Sequence, residues 1–116
     1  MDQKHLQQIA EMLWEEYCEI FPELVKFDCP KIELNGRFTV TAGCNSWEDN
    51  TVILGKKFFK KFSRNMVRVI LPHELAHQID YNLNHLGNVK TYHGKTWKEI
   101  MIKIGQKPLP CHSMEI

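Results

Sequence analysis

Apolar residues Leu6, Ile9, Leu13, Trp14, Tyr17, Ile20 and Phe21 recur at helical spacing, with Glu11, Glu15, Glu16 and Glu19 between them. That period predicts an amphipathic helix over about residues 3–21, with Trp14 and Tyr17 as core anchors. Pro22 ends it or starts a further turn. The period then changes to two: Lys31 to Thr41 holds two alternating runs around Asn35-Gly36, the strongest short-range hairpin signal. Ile32, Leu34, Phe38 and Val40 supply its core face. Gly43 to Asn50 reads as a polar turn and Thr51-Val52-Ile53-Leu54 as a third strand, so a small three-stranded antiparallel sheet is expected.

Helical spacing returns after residue 55. Phe58, Phe59 and Phe62 fall at i, i+1 and i+4, predicting a short helix with buried rings and solvated lysines. Lys56, Lys57, Lys60, Lys61 and Arg64 also interleave cations with those aromatics, a composition suited to phosphate contact and base stacking. Ser63 is a candidate N-cap for a long helix to about Asn84, with Met66, Val67, Val69, Ile70, Leu75, Ala76 and Ile79 on its buried side. Pro72 interrupts that helix; one kinked helix is expected, with a break into two as the alternative. A loop after Gly87 leads to a last helix from Lys95 to about Ile104, stopped by Gly105 and Pro108. The elements amount to an α+β fold, and 116 residues suit a single domain over 1–116.

Composition narrows the class. With 43% apolar and 25% charged residues the chain is expected to fold as a globular protein. The N-terminus lacks a signal-peptide pattern, and no segment approaches the roughly 20 apolar residues of a membrane span. Cys18, Cys29, Cys44 and Cys111 form no C-x-x-C pair, which argues for reduced thiols in a cytoplasmic protein and against a zinc ribbon within this chain. A net charge of +1 hides a strong polarity: residues 1–50 carry 4 basic against 10 acidic side chains, residues 51–116 carry 11 against 4. The basic half suits an anionic partner.

The same half carries the chemistry. In Pro72-His73-Glu74-Leu75-Ala76-His77 two imidazoles stand four residues apart, on one face of a helix, with a carboxylate beside the first. Such a pair can hold a zinc ion, and Glu74 can take a proton from the water the metal activates. A catalytic zinc needs a third protein ligand and an open position. The longer H-E-x-x-H-x-x-G-x-x-H pattern is absent, because Asp80 and Leu83 occupy its glycine and last histidine positions. Glu99 could serve as a carboxylate ligand. His85 lies two turns along the helix from His77, about 12 Å if the helix continues. His93 is the best candidate, since Gly94 beside it lets the backbone turn inward at the mouth of the last helix. Asp80 is either a support for a ligand histidine or a solvated residue. Tyr81 and Tyr92 either donate to an oxyanion or pack in the core with a wet hydroxyl. Trp97 and Met101 read as core residues against the histidine helix.

Leu71-Pro72-His73-Glu74-Leu75-Ala76-His77 followed by His93-Gly94-Lys95-Thr96-Trp97-Lys98 resembles the SprT-like metallopeptidase family, which includes the eukaryotic protease Spartan. The N-terminal helix, the small sheet and a closing Pro110-Cys111-His112-Ser113 extend the resemblance over most of the chain. It implies a minimal zincin-like domain without the C-terminal zinc ribbon that bacterial members often carry. It also implies His73, His77 and His93 as ligands of one catalytic Zn2+, and Glu74 as general base. The expected activity is zinc-dependent endopeptidase chemistry on a protein substrate. Resemblance to Spartan suggests DNA or DNA-bound and DNA-crosslinked proteins as partners, which would place the protein at the nucleoid, with no membrane role. Two alternatives are a regulatory protease cutting one partner or repressor, and a nucleic-acid-binding module whose zinc is structural.

Overall fold

The computed structural model of the chain describes residues 2–84 and 94–109. Helix α1 (Gln3–Ile20) begins at Asp2, whose side chain accepts a hydrogen bond from the His5 N–H at 2.8 Å. Its stripe Leu6, Ala10, Trp14 and Tyr17 is buried. Pro22 opens a short 3-10 turn (Pro22–Lys26) that buries Leu24, and the Trp14 indole N–H ties α1 to the carbonyl of Phe27 at 3.2 Å. The chain then enters a three-stranded sheet of β1 (Lys31–Asn35), β2 (Gly43–Ser46) and β3 (Thr51–Gly55).

The sheet is mixed, with order β1-β3-β2, and this corrects the expected antiparallel meander. β1 and β3 are parallel, with Ile32 opposite Val52 and Leu34 opposite Leu54, while β2 and β3 are antiparallel, with Gly43 opposite Leu54 and Asn45 opposite Val52. No hairpin forms at Asn35-Gly36. The Asn35 side chain instead accepts from the Arg37 N–H at 2.7 Å, and residues 36–42 cross to the far side of β3, leaving Val40 90% exposed. A strand has only two edges, and both edges of β1 are taken. One faces β3, the most apolar run in this part of the chain. On the other edge, Gln7 accepts from the Ile32 N–H at 2.7 Å and donates to the Pro30 carbonyl at 3.0 Å, while Gln3 accepts from the Leu34 N–H at 2.9 Å. Glutamines of α1 thus do for β1 what a neighbouring strand would. The stretch read as a polar turn splits in two: Gly43–Ser46 is strand, and only Trp47–Asn50 turns, with Asn50 in the left-handed region at φ 50°.

After β3, a 3-10 turn (Lys56–Phe58) leads into α2 (Phe59–Asn65), which is broken at Phe62 (φ −125°, ψ 33°), so the helical run towards α3 restarts at Ser63, as the expected N-terminus there implies. Phe58 is buried and Phe59 and Phe62 are half-buried, while Lys56, Lys57, Lys60, Lys61 and Arg64 are exposed. A π-helical turn (Met66–Ile70) joins α2 to α3 (Leu71–Asn84). It answers the question posed by Pro72, because the helix neither stops nor simply kinks there. The Leu71 N–H donates to the Met66 carbonyl, five residues back. The wider turn takes carbonyls out of the α ladder just where proline has no N–H to offer and its ring needs room. Helix α4 (Lys95–Lys103) ends at Gly105, whose φ of +84° permits the Gln106 N–H to reach the Met101 carbonyl at 2.8 Å and the Gly105 N–H to reach Ile102 at 3.1 Å. The core-facing residues Ile32, Val52 and Leu54 meet α1 and α3, and every residue from Leu71 to Asp80 is buried. Among the described residues no helix is long and apolar enough to cross a membrane.

Candidate metal centre

α3 is the most enclosed element, yet its buried positions include His73, Glu74, His77, Gln78, Asp80 and Asn82. Polar groups in such a place need partners, and the partners divide the helix into faces. His73 and His77 face α4. Their ring centroids are 5.0 Å apart, and both meet Trp97, which stacks on His77 at 5.1 Å and 15° and meets His73 edge-on at 4.9 Å. Trp97 is fully buried, so the indole covers this side of the histidine pair. Asp80 is buried and accepts from the Asn84 amide at 2.8 Å. Tyr81 lies further along α3, its ring stacked on Trp47 of the β2–β3 turn at 6.3 Å.

Glu74 and Gln78, one turn apart, face β2. Gly43 lies so close that an added Cβ would stand 3.0 Å from Ile70 Cγ2, 3.1 Å from Leu54 Cδ2 and 3.3 Å from Glu74 Cγ. The absence of a side chain is what lets this strand lie against the carboxylate-bearing turn. Burial pushes the Glu74 carboxyl up from its ordinary 4.5 to about 8. The thiol of half-buried Cys44, next on β2, is raised by burial and then by the Glu74 charge. Gly43→Ala is therefore expected to cost about 1–3 kcal/mol of stability by overpacking. It should also displace Glu74, so that any hydrolytic rate falls more than thermal melting alone would explain.

Among the described residues no group of three or more His, Cys, Asp and Glu side chains is placed to hold a metal ion, and the two imidazoles offer two of the three protein donors a catalytic zinc needs. Two imidazoles bound tetrahedrally to one zinc at roughly 2.0–2.1 Å have ring centres about 5 Å apart, close to the separation of His73 and His77. A buried carboxylate beside them gains most from a neighbouring cation. Of the other expected site residues, Glu99 is exposed on α4, on the side away from Trp97. His93, His85 and Tyr92 lie outside the described residues, as do Cys111 and His112; Gly94, next to His93 in the chain, caps α4. Lys56, Lys57, Lys60, Lys61 and Arg64 form an exposed basic row on α2 and the turn before it, outside the histidine face. Gly43, Asn45 and Gln78 were not anticipated as site residues. The i, i+4 ridge Glu74, Gln78, Asn82 was the available signal, a second polar line on the helix beside that of His73 and His77.

An α+β domain with a buried H-E-x-x-H helix, walled by an aromatic residue and covered by a short strand, defines a metallopeptidase-like class. The chain belongs to the SprT-like family, which it matches over residues 5–115. It is 32% identical over 94 residues to Protein SprT of Vibrio atlanticus (strain LGP32), covering 78% of this chain and 53% of that protein. It is 30% identical over 91 residues to Protein SprT of Pasteurella multocida (strain Pm70), with the same coverages of 78% and 53%. The chain thus spans about half the length of these relatives. No solved structure matches it.

Proposed function

We propose that this domain is the catalytic core of a zinc-dependent endopeptidase. The observation that carries the reading is the buried Glu74 carboxyl on the same helix turn as two imidazoles at zinc-binding separation. His73 and His77 would hold the ion, with His93 as third ligand, as the family resemblance implies. When bound, zinc supplies a Lewis acid for the scissile carbonyl and lowers the pKa of water to about 7. Glu74 accepts the proton of the attacking water and passes it to the departing amine. Trp97 keeps bulk water from the back of the histidine pair.

The substrate would lie along the outer edge of β2. Among the described residues nothing pairs with that edge, whereas the outer edge of β1 is closed by Gln3 and Gln7. An extended peptide added there gains main-chain hydrogen bonds and passes over the Glu74 turn. Zinc-loaded protein is expected to cleave an unfolded protein, and chelated protein to leave it intact. Equal cleavage in both samples would discard the metal mechanism.

The exposed basic row favours a DNA-associated protein substrate over a single dedicated partner. Each of Lys56, Lys57, Lys60, Lys61 and Arg64 can neutralise one phosphate, and log K falls with log salt by about 0.7–0.9 per phosphate contacted. Changing all five to glutamine is expected to flatten the salt dependence of DNA binding by about 3.5–4.5 units in slope. Titration at several salt concentrations checks this, and an unchanged slope removes the row from the interface.

A further inference from the structure

We infer that Gln78 is a positioning residue that sets the register of β2 along the histidine helix, and with it the depth at which a peptide strand lies over Glu74. The inference rests on the peptidase reading, but its structural half stands on the fold alone. Gln78 is 1% exposed, and its amide bonds to β2, to the turn that follows it and to its own helix. Its Oε1 accepts from the Asn45 amide at 2.8 Å, and its Nε2 donates to the Trp47 carbonyl at 3.2 Å and to Asn82 Oδ1 at 2.9 Å. The Asn45 amide also donates to the Thr51 carbonyl at 3.0 Å, which joins the network to the β2–β3 pairing.

The spacing explains why one glutamine suffices. Four residues along a helix advance about 6.0 Å and two along a strand about 6.8 Å. The pairs Glu74 with Gly43 and Gln78 with Asn45 therefore repeat with nearly the same step, and β2 runs along the ridge of α3. At the Gly43 end the contact is purely steric, with no hydrogen bond between strand and helix to stop the strand sliding. At the Asn45 end only an amide can serve both as acceptor for Asn45 and as donor to the Trp47 carbonyl and Asn82. A slide by one residue would turn Asn45 outward, strand the Gln78 amide and drive Cys44 into the space that only a glycine fills. The hydrogen bonds thus exclude the wrong registers, while Gly43 permits the close approach of the right one.

The test uses the full chain, loaded with zinc, as Gln78→Leu, Asn45→Ala and the double variant. Amide hydrogen exchange in Gly43–Ser46 is expected to rise by on the order of 10-fold in each single variant, with β1 unaffected. kcat/KM on an unfolded protein should fall by on the order of 10–100-fold at full zinc occupancy, the loss typical of a misplacement near 1 Å. The double variant should lose no more than the worse single, because both changes break one device. Asn45→Ala removes a half-buried group and keeps the test alive should Gln78→Leu fail to fold. Unchanged exchange in β2, raised exchange with intact kcat/KM, or losses that multiply in the double variant would each overturn the inference. If the zinc-loaded parent cleaves no protein, the peptidase reading has failed, and exchange alone decides whether Gln78 holds β2.

Discussion

Glu74→Gln is expected to keep stoichiometric zinc and to lower peptide hydrolysis by about 10²–10⁴-fold, the usual contribution of a general base. The amide is nearly the same shape, so His73, His77 and Trp97 keep their packing, but it cannot take a proton. Stability of the zinc-free protein should move the other way. The folded carboxyl holds its proton up to about pH 8, whereas the unfolded one releases it near the ordinary 4.5. Between those values the unfolded state binds fewer protons, so stability falls as pH rises, by at most about 1.4 kcal/mol per unit, and levels off above pH 8. The glutamine variant lacks that slope and should be the more stable of the two at pH 8. Urea unfolding of chelated samples at pH 5, 6.5 and 8, with metal content and cleavage measured on loaded ones, tests both halves. A variant that cleaves as fast as its parent would sink the assigned mechanism.

His77→Ala should cost the metal itself. Changes to groups that only support a ligand weaken metal sites by 10–100-fold, and loss of a ligand is expected to exceed that. Activity should disappear in proportion to occupancy. The contact with Trp97 provides a readout free of any substrate. Its indole stacks on His77 at 5.1 Å, so adding zinc to chelated parent protein should change the tryptophan emission. Trp14 and Trp47 contribute a constant background, and the response should vanish in His77→Ala. Parent-like zinc affinity in this variant would remove His77 from the ligand set.

The elements that could be read along the chain were those whose causes are local. α1 follows its apolar stripe, and α4 stops at Gly105 because a left-handed residue closes its last carbonyls. The pairing of His73 with His77 is equally local, being a property of one helix at i, i+4 spacing. Pro72 interrupts the helical pattern by its own chemistry, but its resolution by a π turn depends on packing around Met66 and Ile70, both buried. The hairpin signal at Asn35-Gly36 failed because Gln3 and Gln7, some 25–31 residues earlier in sequence, reach the β1 edge first.

The sequence by itself therefore determined the helices, the family and the residue types able to hold zinc and move a proton. Tertiary structure decided the strand order, the presence of β2 rather than residues 37–41 beside Glu74, and the burial that lifts the Glu74 carboxyl to about 8. The division has one physical cause. Helical hydrogen bonds and i, i+4 contacts close within a few residues, so their preferences are written where they act. Strand edges and desolvation are settled by competition between segments far apart in the chain, and no local pattern records the winner.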